Sequence, residues 1–198
     1  MINEKNTIIF PIALTEDEDK DFTGCSAGGH LLDVLRYFRN SIDKDTNQAA
    51  TILDVGCRDD TTQPFFVKRG FNWIGIDLHP TIHAVLKGDM HCLPTGDECV
   101  EFIFCSHALE HSERPIDVLK EFKRVTKLAG YIFLATPAYS HYQLFGCDKE
   151  HINVPTMQQL RRWGEHVGLK IVHQTYVKSE IYEDRLASLI TILQVVNK

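Results

Sequence analysis

The 198-residue chain lacks several patterns that would assign it to common protein classes. Its six cysteines include no Cys-x-x-Cys pair, so the usual zinc-binding spacings are missing. It has no excess of positive charge, since 21 lysine and arginine residues stand against 27 aspartate and glutamate residues. A net charge of −6 argues against an extended surface for nucleic acid or anionic lipid.

The chain also lacks a segment typical of export or membrane insertion. Its first apolar patch, Ile8–Leu14, precedes the acidic run Glu16–Asp21, whereas a signal peptide begins with basic residues and ends at a small-residue cleavage site. The last apolar stretch, Leu186–Val196, is about half as long as a membrane span. All six cysteines are interpreted as reduced thiols, so we expect a soluble cytoplasmic protein that does not bind membranes.

The composition is that of an ordinary globular protein, with 43% hydrophobic and 24% charged residues. There is no internal repeat and no linker rich in proline, glycine or serine, and the length favours one structural domain. Residues 1–50 are predicted to form an N-terminal arm and a helix, Gly28–Asn40, that cover the site. Residues 51–198 are predicted to form the main domain.

From Thr51 onward, strand-like and helix-like patterns alternate. The predicted strands are short apolar runs at Thr51–Gly56, Asn72–Asp77, Val85–Asp89, Val100–Ser106, Tyr131–Thr136, Leu169–Tyr176 and Ser188–Val196. The predicted helices have apolar residues on one face and lie at Thr61–Arg69, Pro115–Leu128 and Thr156–Val167. This alternation predicts a doubly wound, mostly parallel α/β sheet of seven strands. Because no helix separates the last two strands, they are predicted to form a C-terminal antiparallel hairpin.

Polar residues and glycines follow the first three predicted strands, at the edge where such sheets bind ligands. Asp54 and Gly56 end the first strand, Asp77 ends the second, and Asp89 follows the third. A carboxylate at the end of the second strand, 23 residues after Asp54, is suited to accept two hydrogen bonds from a ribose diol.

In this order and spacing, the stretch from Ile52 to about Gln174 resembles the class I S-adenosylmethionine-dependent methyltransferases, particularly the methyltransferase type 11 group. The chain reads LDVGCRDD from Leu53, where the family pattern is LDVGCGxG, and SHALEH from Ser106. The segment EHINVPTMQQLRRWGEHVGLKIV, from Glu150, is similar to a further family segment.

The resemblance implies a Rossmann-like sheet, S-adenosyl-L-methionine as cofactor and S-adenosyl-L-homocysteine as product. It implies methyl transfer to an oxygen or nitrogen acceptor of unknown identity, by a monomer or homodimer, with nucleic acid disfavoured as acceptor. One alternative is a non-catalytic binding or scaffold domain with an altered cofactor loop. A nicotinamide-dependent oxidoreductase is disfavoured because G-x-G-x-x-G is absent.

The residues that the resemblance assigns to the cofactor are Asp54, Gly56, Cys57, Arg58, Asp77, Leu78, Asp89, Met90 and Ser106. Asp77 is expected to bind the ribose, and Asp89 and Met90 to contact adenine. Arg58 departs from the family, which has glycine there. Its side chain can point to solvent if φ stays negative, pair with the cofactor carboxylate, or fill the pocket. We predict that binding is retained and that Arg58 lies at the methionine end.

Three histidines on predicted loops, His107, His141 and His151, are candidate bases for a substrate hydroxyl or amine. His107 to His111 also has the spacing H-x-x-E-H of a zinc-peptidase motif, but here it follows a strand, so a peptidase is disfavoured. Glu110 and His111 are interpreted as a brace for the loop, with a metal site as the open alternative. The sequence predicts no metal requirement.

Overall fold

The computed structural model describes residues 49–138, 149–179 and 185–197, which form one mixed sheet with helices packed on it. The strands are β1 Thr51–Val55, β2 Asn72–Asp77, β3 Leu86–Lys87, β4 Val100–Ser106, β5 Thr126–Pro137, β6 Leu169–Ser179 and β7 Arg185–Val195. The helices are α1 Gln63–Lys68, α2 Pro115–Val125 and α3 Met157–Val167, with a 3₁₀ turn at Leu109–His111.

The strand order in the sheet is β3-β2-β1-β4-β5-β7-β6. The first five strands are parallel, whereas β7 runs antiparallel to both β5 and β6. This confirms the predicted doubly wound sheet with a C-terminal antiparallel hairpin. From β1 the chain continues to β2 and β3 on one side of the sheet, and then crosses to β4 on the other side of β1. The switch point of the sheet therefore lies between β1 and β4. That is the position where sheets of this kind bind ligands.

The two faces of the sheet bury different kinds of side chain. One cluster is rich in aromatic rings, among them Phe104 and Phe133, which stack with centroids 5.0 Å apart. The other cluster is largely aliphatic and joins Leu53 and Ile103 to Leu119 of α2. Successive strand residues alternate between the clusters, as the pleat requires. The central strands are therefore covered on both faces, and their carboxyl ends are firmly held.

Helix α3 follows its local sequence signals. Thr156 and Gln159 form the predicted capping box, in which each side chain bonds the backbone N–H of the other residue. Gly168 ends the helix with φ +77, a left-handed conformation that suits glycine. The predicted helix Thr156–Val167 is confirmed, with Thr156 as its N-cap.

The prediction that α2 extends to Leu128 is wrong. At Thr126 the backbone turns extended, with φ −85° and ψ 131°, and pairs with Val100 of β4. The Thr126 hydroxyl donates to the carbonyl of Phe122 at 2.7 Å and satisfies the end of the helix. Leu128 continued the apolar spacing of the helix, but it lies in β5 and is exposed.

Several predictions fall on residues 1–48, among them the arm and the helix Gly28–Asn40, and these lie outside the described residues. Within the described ranges, Cys57, Cys92, Cys99 and Cys105 are free thiols. No helix in those ranges is both long and apolar enough to cross a membrane.

Candidate functional site

A cavity of about 1190 Å³ opens at the carboxyl ends of the parallel strands. Its wall includes all nine residues assigned to the cofactor by sequence, namely Asp54, Gly56, Cys57, Arg58, Asp77, Leu78, Asp89, Met90 and Ser106. Of the three candidate bases, His107 lines the cavity, His151 lies against His111 with ring centroids 5.0 Å apart, and His141 lies outside the described residues. A cavity of this size is large enough for a nucleoside-sized ligand together with a second molecule.

The loop after β1 approaches the cavity with its backbone at Gly56. This residue has φ +79, and its N–H donates to the carbonyl of Ile76 at 2.8 Å. A Cβ atom at this position would overlap the Cβ of Ala108 across the cavity wall. Both the backbone conformation and the available space therefore require glycine here.

Arg58 adopts a left-handed backbone conformation with φ +60, so the negative φ that the sequence analysis attached to a solvent-facing side chain is not present. Its N–H donates to Oδ2 of Asp77 at 2.8 Å, and its carbonyl accepts from the N–H of Thr81 at 2.9 Å. These two bonds hold the loop in a left-handed conformation, which favours glycine. The side chain is 75% exposed and extends toward solvent, with its Nη2 3.6 Å from Oδ2 of Asp59.

Replacing Arg58 with glycine is expected to raise the free energy of unfolding by about 1 kcal/mol, because a left-handed conformation is strained for arginine and not for glycine. The affinity for S-adenosylmethionine should stay equal or become weaker, since a side chain that is 75% exposed leaves the cavity open. Ala129→Gly, at another residue with positive φ, is the matched control for strain relief outside the site. Urea denaturation and calorimetric titration measure both effects. A tenfold gain in affinity in Arg58→Gly would mean that the arginine blocks the pocket.

Asp77 receives two backbone hydrogen bonds, one from Arg58 to Oδ2 and one from His79 to Oδ1 at 2.7 Å. A carboxylate offers about four lone-pair positions, so acceptor capacity remains on both oxygens. The apolar side chains of Leu78 and Met90 line the cavity nearby, and Leu78 is half exposed. The carboxylate is thus fixed beside a partly apolar wall, an arrangement suited to a sugar diol and a flat ring.

Asp54 is buried beneath the β1 loop, where its Oδ2 accepts bonds from the Thr62 hydroxyl and, at 3.1 Å, from Nε1 of Trp73. Burial raises the pKa of Asp54 from 3.8 to about 6, and the two hydrogen bonds oppose this shift only in part. The Trp73 contact joins β1 to β2 through side chains 19 residues apart, and no local sequence pattern could have revealed it.

Ionisation of Asp54 is expected to lower the free energy of unfolding by about 2–3 kcal/mol as pH rises from about 4 to 7. The sign follows from the raised pKa, because between pH 4 and 6 the folded state keeps a proton that the unfolded state has released. Asp54→Asn, which cannot ionise, should lack this component. Urea denaturation of both proteins across this pH range measures the difference, which should widen toward neutral pH in favour of the asparagine variant. A constant difference would show that Asp54 ionises normally in the folded protein.

Asp89 is linked through the side chain of His91 to Ser112, which also lines the cavity. Its Oδ1 accepts from the backbone N–H of His91 at 2.9 Å and lies 2.7 Å from Nδ1 of the same residue. These hydrogen bonds lower the pKa of Asp89 and keep it ionised. Nε2 of His91 lies 2.8 Å from Oγ of Ser112. The sequence analysis assigned no role to His91, because this link depends on a contact between residues 21 positions apart.

His107 has a strained backbone, with φ +52, directly after β4. Its Nε2 lies 3.1 Å from Oγ of the buried Ser188, and its Nδ1 lies 3.4 Å from Oε1 of the buried Glu110. Both ring nitrogens thus lie next to buried polar groups, and this favours a structural role for His107 over that of a base.

Comparison with known proteins places this geometry among related folds. The family model described as a methyltransferase domain matches residues 24–174. No curated protein sequence matches significantly. A SAM-dependent methyltransferase from Archaeoglobus fulgidus is similar in structure, with TM-score 0.64, 20% identity and coverage of 90% of this chain and 97% of that chain.

Two other solved structures share the fold. A SAM-dependent methyltransferase from Aquifex aeolicus matches with TM-score 0.62 and 19% identity, covering 83% of this chain and 89% of that chain. The [4+2]-cyclase SpnF matches with TM-score 0.61 and 15% identity, covering 89% of this chain and 85% of that chain. At these identities the likeness shows the fold alone, and the cyclase demonstrates that the fold hosts more than one reaction.

Proposed function

The chain belongs to the methyltransferase domain family, and from this premise we propose that it transfers a methyl group from S-adenosyl-L-methionine to an oxygen or nitrogen acceptor. The observation that carries the proposal is the convergence of Asp54, Gly56, Asp77 and Asp89 on one cavity at the switch point of the sheet. Gly56 lets the backbone come close to a ligand, and Asp77 keeps free acceptor capacity for a ribose.

The residues divide the cavity into two proposed regions. Asp77, Leu78, Asp89 and Met90 would hold the adenosine half, through hydrogen bonds from the carboxylates and apolar contact from the other two side chains. The β1 loop with Gly56, Cys57 and Arg58 would hold the methionine half. Burial raises the pKa of the Cys57 thiol to about 12, so it stays protonated at neutral pH and does not act as a competing nucleophile. We propose that residues 1–50 complete the site as a cover.

The cofactor supplies a sulfonium methyl group that is already activated, so the chain mainly has to orient the acceptor and exclude water. The acceptor's electron pair forms the new bond to the methyl carbon, while the carbon–sulfur pair returns to sulfur and leaves S-adenosyl-L-homocysteine. A base is needed only for a weak nucleophile such as an alcohol. Of the candidate bases, His141 and His151 remain the proposals, because both nitrogens of His107 face buried groups.

Incubation of the purified chain with methyl-labelled S-adenosylmethionine and fractionated cell extract tests the proposal. We expect label to enter one acceptor fraction, and Asp77→Ala to reduce this incorporation. If the chain binds S-adenosyl-L-homocysteine and yet labels nothing in any fraction, the non-catalytic binding domain replaces the enzyme. If a compound in the extract is converted to a new product that carries no labelled methyl group, the chain catalyses a different reaction on this fold.

A further inference from the structure

One buried carboxylate beside the cavity is unexplained by the proposed cofactor contacts. Glu110 lies in the 3₁₀ turn after β4 and is fully buried. Neither of its carboxylate oxygens has a hydrogen-bond partner within the described part of the chain. Leaving both oxygens of a buried carboxyl group without hydrogen bonds is costly, so this position favours an additional partner such as a cation.

Besides His107, whose Nδ1 lies 3.4 Å from Oε1, two further histidines place nitrogen atoms next to this carboxylate. One ligand-type atom each from Glu110, His111 and His151 lies within 4.8 Å of the others. Oε1 of Glu110 is 4.0 Å from Nε2 of His151. Around a tetrahedral zinc ion with bonds of about 2.0–2.2 Å, neighbouring ligand atoms are roughly 3.3–3.6 Å apart. The Glu110–His151 distance exceeds this spacing by about 0.4–0.7 Å, and no pair in the cluster exceeds it by more than about 1.5 Å, so small side-chain rotations would bring the three ligand atoms onto one ion.

The backbone holds these ligands together although they come from distant parts of the chain. The carbonyl of Glu110 accepts from the N–H groups of Ile152 at 2.8 Å and Asn153 at 2.9 Å, which pins the segment carrying His151. Nδ1 of His111 lies 2.9 Å from the carbonyl of Glu150. Since a carbonyl only accepts, Nδ1 carries the proton and Nε2 keeps its lone pair. A histidine oriented in this way by a backbone carbonyl is typical of metal ligands.

We propose that Glu110, His111 and His151 form a binding site for a divalent transition metal ion of the zinc type. With the ion bound, His151 is a ligand and no longer a candidate base. Two imidazoles and one carboxylate are a donor set that zinc uses in sites with an open fourth position. Hard ions such as Mg²⁺ prefer oxygen ligands and suit this set poorly. His111 also lines the cavity, so the proposed ion would lie at the cavity wall. The sequence predicted no metal because His151 lies 40 residues from His111 along the chain.

Metal titration of the full chain, after treatment with a chelator, tests the site. Zn²⁺ should bind with one ion per site, and Co²⁺ should give the visible absorption of a tetrahedral complex. Glu110→Gln and His151→Gln should each lower the Zn²⁺ affinity at least tenfold and abolish that Co²⁺ spectrum. His166→Gln, at an exposed histidine of α3, is the matched control and should leave both unchanged. Mg²⁺ should bind at least tenfold more weakly than Zn²⁺.

Circular dichroism of each variant separates loss of the site from loss of folding, and His151→Gln carries the test if Glu110→Gln does not fold. Zn²⁺ binding that survives unchanged in folded His151→Gln overturns the proposal, as does a wild-type chain that binds neither ion. The outcome is independent of the proposed methyl transfer, because binding of S-adenosyl-L-homocysteine to the chelator-treated protein is measured separately.

Discussion

Gly56→Ala is expected to lower the affinity for S-adenosyl-L-homocysteine at least tenfold. It should also lower the free energy of unfolding by more than the backbone strain alone. The added Cβ meets that of Ala108, so the β1 loop or the 3₁₀ segment must move. Overpacking of this kind costs about 1–3 kcal/mol. The left-handed backbone, with φ +79, adds roughly 1–2 kcal/mol of strain for alanine.

Gly70→Ala separates the two contributions. Gly70 also has a positive φ, of +85, but a Cβ there meets no atom within 4 Å among the described residues. It should therefore show the strain cost alone, about 1–2 kcal/mol in urea denaturation, with unchanged ligand affinity. If the two variants lose equal stability and both keep their affinity, the close approach of Gly56 to Ala108 does not shape the binding site.

Asp77→Ala is expected to weaken binding of S-adenosyl-L-homocysteine by about 10- to 150-fold in calorimetric titration. In the proposed complex the carboxylate would make charge-assisted hydrogen bonds to the ribose, which contribute roughly 1.5–3 kcal/mol, and each 1.4 kcal/mol is a factor of ten. Asp77 also accepts the N–H groups of Arg58 and His79, so some stability is lost along with the ligand contact.

Asp60→Ala is the matched control, because Asp60 is exposed, carries the same charge and lies in the same loop. It should bind the ligand as wild type does. Asp77→Asn, which keeps an acceptor oxygen for the loop, should recover much of the stability but little of the affinity. If Asp77→Ala binds the ligand with wild-type affinity, Asp77 only holds the loop and does not contact the adenosine half of the ligand.

The sequence predicted the sheet well because its signals are local or depend on order along the chain. Strand β4 matches its predicted bounds, and α3 begins and ends at its capping box and terminal glycine. The end of α2 was missed because Leu128 kept the helical spacing of apolar residues, while pairing of Thr126 with Val100 depends on tertiary contact.

The candidate site was predictable only in part, for the same physical reason. Strand-end residues such as Asp77 are placed by topology, since parallel strands bring their carboxyl ends to one edge. Contacts between side chains from separate segments carry no local signal, as with Trp73 and Asp54, or His151 and Glu110. The left-handed backbone conformation of Arg58 could not be predicted either, because hydrogen bonds to Asp77 and Thr81 impose a conformation that arginine rarely adopts.

Direct titration of the full chain with S-adenosyl-L-homocysteine and NAD tests whether the cavity at the switch point binds S-adenosylmethionine. We expect saturable binding of S-adenosyl-L-homocysteine. At 100 times its dissociation constant, that ligand should raise the free energy of unfolding by about 2.7 kcal/mol. NAD at the same concentration should leave the unfolding transition unchanged. Absence of saturable S-adenosyl-L-homocysteine binding, or equal stabilisation by NAD, would contradict the account.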